Sequence, residues 1–143
     1  MLHSRILLVD DYADALEMWA FYLRTRGYNV LSAADGVTAV DIARDWLPHL
    51  VVMDLTLPGI SGCEAARRLR GHVATAAIPI VATTCDIRPD HLDEARSIGF
   101  ARIMIKPCDP PRLLHEIQIA LSARATVDRF DRTAVPVPLS RLT

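Results

Sequence analysis

Short apolar runs alternate with longer stretches of helical periodicity along most of this chain. Runs without polar alternation are typical of strands that are buried on both faces, as in parallel sheets covered by helices. Right-handed crossovers between successive strands then place helices on both sides of one sheet. The sequence therefore predicts an α/β fold with a single doubly wound parallel sheet. The five predicted strands are residues 6–9, 30–34, 50–53, 78–83 and 103–105.

Residues that begin and end helices fall between these runs. The helix starts are predicted at Asp35, Gly62, Pro89 and Asp109, and the helix ends at Gly27, Pro48, Gly71 and Gly99. Apolar residues at helical spacing predict the buried sides of the first and last helices. These two stripes are Leu16, Trp19, Ala20 and Leu23, and Leu113, Leu114, Ile117, Ala120 and Leu121.

The helical period of the last element fades after Ser122. Prolines and polar residues in the following segment argue against a long helix there. We therefore predict a folded domain over residues 1–121 and a flexible C-terminal tail or linker over residues 122–143. The 143 residues, 51% of them hydrophobic, suffice for one core of ordinary domain size.

Charge and composition exclude several classes of partner. The formal net charge is −1, so no overall field favours nucleic acid or a membrane surface. The N-terminal stretch resembles neither a signal peptide nor a membrane span, and we expect a cytoplasmic protein. The cysteines have no metal-ligand spacing and are expected to be free thiols. The histidines also lack such spacing and are expected to be surface residues: His3, His49, His72, His91 and His115.

Polar side chains follow four of the five predicted strands. Asp10 and Asp11 follow the first strand, Asp54 the third, Thr84 the fourth and Lys106 the fifth. In an open α/β sheet the ligand crevice lies beyond the carboxyl ends of the strands, so these groups are expected to meet. Three clustered carboxylates repel one another, and one lysine offsets only part of this. The all-oxygen set therefore predicts a hard divalent cation, best Mg²⁺.

The same arrangement suits phosphoryl transfer. A carboxylate beside Mg²⁺ can attack an activated phosphorus and form an acyl phosphate. Lys106 and Thr84 are then placed to hold the developing phosphoryl oxygens. Phosphoryl transfer needs mainly alignment and charge neutralisation, which this set supplies.

These motifs resemble the receiver domain of two-component response regulators of the chemotaxis-regulator type. The resemblance covers residues 4–121. It rests on the DD pair, the D of VVMDLTLPGISG, the T of PIVATT and the KP pair, taken in order and at the family's spacing. It implies the flavodoxin-like strand order 2-1-3-4-5. It also implies a phosphoacceptor signalling domain that assists its own phosphoryl transfer and dephosphorylation, rather than an enzyme.

The resemblance assigns roles to individual residues. Asp54 corresponds to the phosphoacceptor. Asp10, Asp11 and Asp54 correspond to the Mg²⁺ carboxylates, and the backbone carbonyl of Thr56 completes the set. Mn²⁺ is expected to substitute for Mg²⁺.

Two further residues correspond to phosphoryl ligands, one hydroxyl and one ammonium. Thr84 is preferred to Thr83 because its spacing fits, and Thr83 is expected to face the interior. Lys106 is the second phosphoryl ligand. The resemblance also implies a cis peptide bond before Pro107. Asp86, two residues after Thr84, occupies a position that tunes phosphoryl lifetime in the family.

The expected partners follow from the same resemblance. A sensor histidine kinase or a histidine phosphotransfer protein donates the phosphoryl group, and a downstream protein of unknown identity reads the result. A homodimer through the fourth helix, fifth strand and fifth helix is a further expectation. One departure stands out, because the family usually has Tyr or Phe where this chain has Ile103. Either a weaker rearrangement of that region carries the signal, or the protein relays the phosphoryl group.

Three alternatives remain open from the sequence. The chain could be a receiver-like scaffold that binds partners without phosphorylation, or the receiver part of a truncated DNA-binding regulator. A phosphatase of the haloacid dehalogenase type also uses an aspartyl phosphate, but its DxD motif is not matched by Asp10, Asp11 and Tyr12.

Overall fold

Parallel strands form one sheet in the order β2-β1-β3-β4-β5. The computed structural model describes residues 3–133, with side chains described through residue 123. The predicted strand order and the placement of helices on both faces are confirmed. The strands are β1 (Arg5–Val9), β2 (Asn29–Ala33), β3 (Leu50–Asp54), β4 (Ile80–Thr84) and β5 (Arg102–Ile105). The helices are α1 (Ala13–Thr25), α2 (Gly36–Trp46), α3 (Gly62–Arg70), α4 (Pro89–Ile98) and α5 (Pro110–Thr133).

Successive residues of the central strands enter two different apolar layers. Leu7 and Val51 pack on one face of the sheet with α2, α3 and α4. Leu8 and Val52 pack on the other face with α1 and α5. Each fully buried aliphatic side chain contributes about 1.5–3 kcal/mol through removal from water. Burial on both faces explains why these strands lack polar alternation.

Two of the predicted helix starts have an aspartate side chain as the cap. Asp35 accepts a hydrogen bond from the Thr38 amide at 2.7 Å at the start of α2. Asp109 accepts one from the Arg112 amide at 2.9 Å at the start of α5. Each cap satisfies an amide that the helix itself leaves without a partner. Ser61 caps α3 in the same way, although the sequence pointed only to the glycine after it.

Helix α5 is longer than the sequence predicted. It continues to Thr133, although its apolar period fades after Ser122. Residues 112–133 contain neither proline nor glycine, so nothing in the backbone chemistry ends the helix there. Residues 134–143, which include both prolines of the predicted tail, lie outside the described residues. Among residues 3–133, no helix combines the length and apolar character needed to cross a lipid bilayer.

Gly62 lies against the carboxyl end of β3. Its amide donates a hydrogen bond to the Leu55 carbonyl at 3.0 Å. A Cβ atom at this position would lie 2.2 Å from the Asp54 carbonyl oxygen and 2.7 Å from the Leu55 Cα. Both are backbone atoms, which cannot move aside as a flexible side chain can. The start of α3 therefore reaches the strand that carries Asp54 only because residue 62 has no side chain.

We expect Gly62→Ala to lower the free energy of unfolding by about 1–3 kcal/mol or more, because the new methyl group overlaps backbone atoms. Gly71→Ala is the matched control, since its Cβ would meet nothing closer than 3.4 Å. Its helical backbone also suits alanine, and we expect a change within about 1 kcal/mol. Urea unfolding of both variants measures the difference. Equal effects of the two substitutions would contradict the close approach at Gly62.

Candidate functional site

The ammonium group of Lys106 joins the ends of two neighbouring central strands. Its Nζ donates hydrogen bonds to Asp10 Oδ2 at 2.8 Å and to Asp54 Oδ2 at 3.0 Å. Asp10 follows β1, Asp54 ends β3, and Lys106 follows β5. Both carboxylate residues are buried, with 1% and 5% of their surface exposed. Side chains remote in sequence thus meet at the carboxyl edge of the sheet.

Lys106 is the only lysine in the 143 residues. Burial alone would lower its pKa, but the hydrogen bonds to Asp10 and Asp54 and the charges of these carboxylates together outweigh burial and raise the pKa above its ordinary value. The side chain therefore stays charged near neutral pH. It acts as a fixed cation between two carboxylates.

Asp54 lies between a backbone amide and the ammonium group of Lys106. Its Oδ1 accepts a hydrogen bond from the Thr56 amide at 3.0 Å. Burial raises the pKa of Asp54 above its ordinary value, and the neighbouring charge of Asp10 adds to this. The hydrogen bonds from Thr56 and Lys106 oppose these effects without cancelling them. The ionised form of Asp54 is therefore less favourable here than in water.

Asp11 completes a group of three carboxylates. One oxygen each of Asp10, Asp11 and Asp54 lies within 4.8 Å of the others. Asp11 is exposed, so the cluster is open to solvent on that side. A set made only of carboxylate oxygens suits a hard divalent cation that keeps several waters. The donor set therefore fits Mg²⁺.

Thr84 ends β4 at the same edge of the sheet. Its hydroxyl accepts a hydrogen bond from the Asp86 amide at 3.0 Å and lies 3.2 Å from His91 Nε2. Thr83, its neighbour, pairs with Asp54 across the sheet. The Thr83 hydroxyl is buried without a hydrogen-bond partner, in agreement with the expectation that Thr83 faces the interior.

His91 is the contact that sequence reasoning missed. Its side chain is 15% exposed, so it is not the surface residue that its lack of ligand spacing suggested. The available signal was its position: Pro89 begins α4, which places His91 in the first turn after the strand that carries Thr84. Asp86 and Arg88 lie beside it as an ion pair, with Arg88 Nε 2.9 Å from Asp86 Oδ1.

Ile103 is partly buried. It lies in β5 and packs against the apolar layer formed with α2, α3 and α4. An aliphatic side chain in this place has no ring to move between exposed and buried positions. The peptide bond between Lys106 and Pro107 is cis, as expected. Cys63, Cys85 and Cys108 are free thiols, as expected.

Comparison with known proteins assigns the family. Residues 6–118 match the family model described as the response regulator receiver domain. The chain therefore belongs to the receiver domain family of two-component response regulators. This family is a signalling family rather than a classical enzyme family, and its match favours a phosphoacceptor receiver over the phosphatase and scaffold alternatives.

Two relatives differ in how much of their length this chain spans. Protein PilH of Pseudomonas aeruginosa is 36% identical over 120 residues, which cover 83% of this chain and 98% of PilH. The phosphate regulon transcriptional regulatory protein PhoB of the same species is 35% identical over 121 residues. Those residues cover 85% of this chain but 53% of PhoB. The chain thus spans nearly all of one relative and about half of the other.

Solved structures include a metal-bound relative. The receiver domain of the sensor histidine kinase PA1611 from Pseudomonas aeruginosa superimposes with a TM-score of 0.78 at 27% identity, covering 85% of this chain and 99% of that one. That structure is described as having a magnesium ion coordinated in its active-site cleft.

We expect Lys106→Met to lower the free energy of unfolding by about 3 kcal/mol in metal-free buffer, because it leaves two buried carboxylates without a cation. Added Mg²⁺ should restore part of the loss. The matched control is Arg96→Met, which removes an exposed ion pair with Asp93 and should cost less than about 1 kcal/mol. Urea unfolding with chelator and with Mg²⁺ measures both effects. A Lys106→Met loss no larger than the control's would contradict the role of Lys106 in holding the cluster.

Proposed function

We propose that this chain accepts a phosphoryl group on Asp54 from a phosphohistidine partner, in a reaction that needs Mg²⁺. The observation that carries the proposal is the bridge of Lys106 between Asp10 and Asp54, beside the third carboxylate of Asp11. Asp10 and Asp54 each accept a hydrogen bond from one backbone amide and one from the ammonium group. Asp54 is proposed as the nucleophile because its position corresponds to the phosphoacceptor of the receiver family, which the chain matches over residues 6–118.

In this reaction a carboxylate oxygen of Asp54 forms a bond to phosphorus while the phosphorus–nitrogen bond of the phosphohistidine breaks. The leaving imidazole keeps the electron pair of that bond and takes up a proton. Lys106, already placed beside Asp54, is proposed to donate to the transferred oxygens as negative charge develops on them. The Thr84 hydroxyl is the second expected donor to those oxygens.

The metal set proposed for this site is Asp10, Asp11, Asp54 and the backbone carbonyl of Thr56. A bound divalent ion would neutralise phosphoryl oxygens and offset the repulsion among the carboxylates. The compact oxygen cluster supports this assignment, as does the magnesium ion described for the PA1611 receiver. We expect Mn²⁺, which also accepts oxygen ligands, to substitute.

The proposed output is a change in a protein-binding surface. The surface formed by α4, β5 and α5 includes exposed apolar side chains of β5 and α5, namely Ile105 and Ile119, which are 47% and 51% exposed. We propose this surface as the contact for a downstream protein or for a second copy of the chain. The donor is a sensor histidine kinase or a phosphotransfer protein. Residues 1–121 form the proposed receiver, followed by a tail or linker over residues 122–143.

We expect wild-type protein incubated with acetyl phosphate and Mg²⁺ to gain one phosphoryl group, because the site itself supplies alignment and charge. Asp54→Asn should gain none, since the amide cannot form an acyl phosphate. Intact-mass analysis measures the gain, and release by hydroxylamine identifies the acyl phosphate. Asp93→Asn, an exposed residue of α4, is the control and should behave as wild type. Equal phosphorylation of Asp54→Asn would refute the acceptor assignment.

We expect Mg²⁺ to raise the melting temperature of the wild-type protein, because an ion that binds only the folded state stabilises it. Asp11→Asn should need at least about tenfold more Mg²⁺ for the same shift, since it removes one carboxylate ligand. Asp45→Asn, exposed near the end of α2, is the control and should keep the wild-type response. Thermal melts at increasing Mg²⁺ measure this, and identical curves for both variants would argue against a metal ligand at Asp11.

A further inference from the structure

His91 of α4 contacts the hydroxyl group that is expected to bind the phosphoryl group. Its Nε2 lies 3.2 Å from Thr84 Oγ1, and its Nδ1 lies 4.0 Å from Asp86 Oδ2. Thr84 is fully buried, and the His91 side chain is 15% exposed. The imidazole therefore lies between the end of β4 and the carboxylate of Asp86.

The hydroxyl of Thr84 has one proton to donate. It already accepts a hydrogen bond from the Asp86 amide at 3.0 Å. The Asp86 carbonyl is only a marginal acceptor for the proton, at 3.5 Å. The imidazole nitrogen at 3.2 Å is the nearer acceptor. If the Thr84 hydroxyl donates its hydrogen bond to His91, it has none left to donate to a phosphoryl oxygen, which can only accept.

The surroundings of Asp86 favour the required tautomer of His91. Arg88 donates to both carboxylate oxygens of Asp86, and its hydrogen bonds hold the pKa of Asp86 well below its ordinary value. The ionised carboxylate faces Nδ1 of His91, so a ring proton is more stable on Nδ1 than on Nε2. Nε2 is then the acceptor toward Thr84.

Helix α4 has few buried contacts, although Glu94 forms an ion pair with Arg67 of α3 at 2.9 Å and Ile98 packs, partly buried, against the apolar layer. Ala95 is its one buried residue. A helix with so few buried contacts can shift at low cost when one of its hydrogen bonds is exchanged. The contact between His91 and Thr84 joins α4 to the strand end that carries the candidate phosphoryl ligand.

We propose that His91 is a positioning residue that holds Thr84 in its resting arrangement. It competes with the phosphoryl group for the one hydrogen bond that the Thr84 hydroxyl can donate. Binding of a phosphoryl oxygen breaks the contact, which releases the first turn of α4. The inference rests on the proposed function of Asp54. It supplies a route from the site to α4 in a chain where Ile103 replaces the usual aromatic residue.

The test compares His91→Met, which removes the acceptor, with His91→Gln, which keeps an acceptor at a similar distance from the backbone. The ligand is beryllofluoride with Mg²⁺, a stable mimic of the phosphoryl group. Lys106 is the only lysine, so ¹⁵N-labelled lysine gives one ammonium signal that reports ligand binding. The methyl signal of Thr84, assigned with Thr84→Ser, reports the position of its side chain. His72→Met, an exposed histidine after α3, is the control.

We expect His91→Met to reach half-saturation at about two- to tenfold lower beryllofluoride, the effect of removing one competing hydrogen bond. Its Thr84 methyl signal without ligand should move toward the ligand-bound position. His91→Gln and His72→Met should resemble wild type. General destabilisation would weaken binding instead of strengthening it, so a structural role alone does not give this result.

Unchanged or weaker ligand binding in His91→Met, or equal shifts in His91→Met and His91→Gln, would overturn the proposal while leaving the function of Asp54 intact. Failure of the wild-type protein to bind beryllofluoride or take up a phosphoryl group is a different result. It would overturn the proposed function, and the competition at Thr84 with it.

Discussion

The ammonium of Lys106 holds together two buried carboxylates that would otherwise repel each other at the centre of the sheet. Asp10 and Asp54 lie at the ends of adjacent strands, and one oxygen of each accepts a hydrogen bond from the same Nζ. Clustered charges of one sign are costly in a buried site unless a cation and hydrogen bonds offset them. The site thus depends on one lysine, and its remaining excess of negative charge is what makes a divalent ion favourable there.

The packing beneath the cluster explains why the carboxylates stay close. Residues of β1 and β3 are buried in apolar layers on both faces of the sheet, so neither strand can shift without exposing a core. Gly62 brings α3 against the end of β3, where any side chain would overlap the backbone of Asp54. The closely packed strands therefore keep the carboxylates near one another. This spacing is unfavourable for the carboxylates alone but suits the binding of a cation.

The region formed by the carboxyl end of β4 and the start of α4 has fewer buried contacts than the centre of the sheet. Thr84 contacts His91 and the amide of Asp86, whereas α4 buries only Ala95. In the inference above, loss of the His91 contact changes the position of α4, and a difference of a few kcal/mol is enough to shift such an equilibrium. In the mechanism proposed above, the buried centre of the sheet takes up the phosphoryl group and α4 responds to it.

Much of the fold and most of the site could be predicted from the sequence because they depend on local order. Apolar runs define strands, Asp35 and Asp109 define helix starts, and polar residues at strand ends meet once the sheet is parallel. The predicted end of α5 was wrong, because a weakening of the apolar periodicity does not end a helix that lacks proline and glycine. The contact of His91 was missed because histidine spacing carries no information about which strand end lies beside it.

The sequence by itself determined which residues form strands, which cap helices, and which carboxylates follow the strands, because period and backbone chemistry are local properties. Only the tertiary structure decided that Lys106 bonds to both Asp10 and Asp54, and that His91 reaches Thr84. Those contacts join residues on different elements. Their distances follow from how the sheet and helices pack, which no local pattern in the chain specifies.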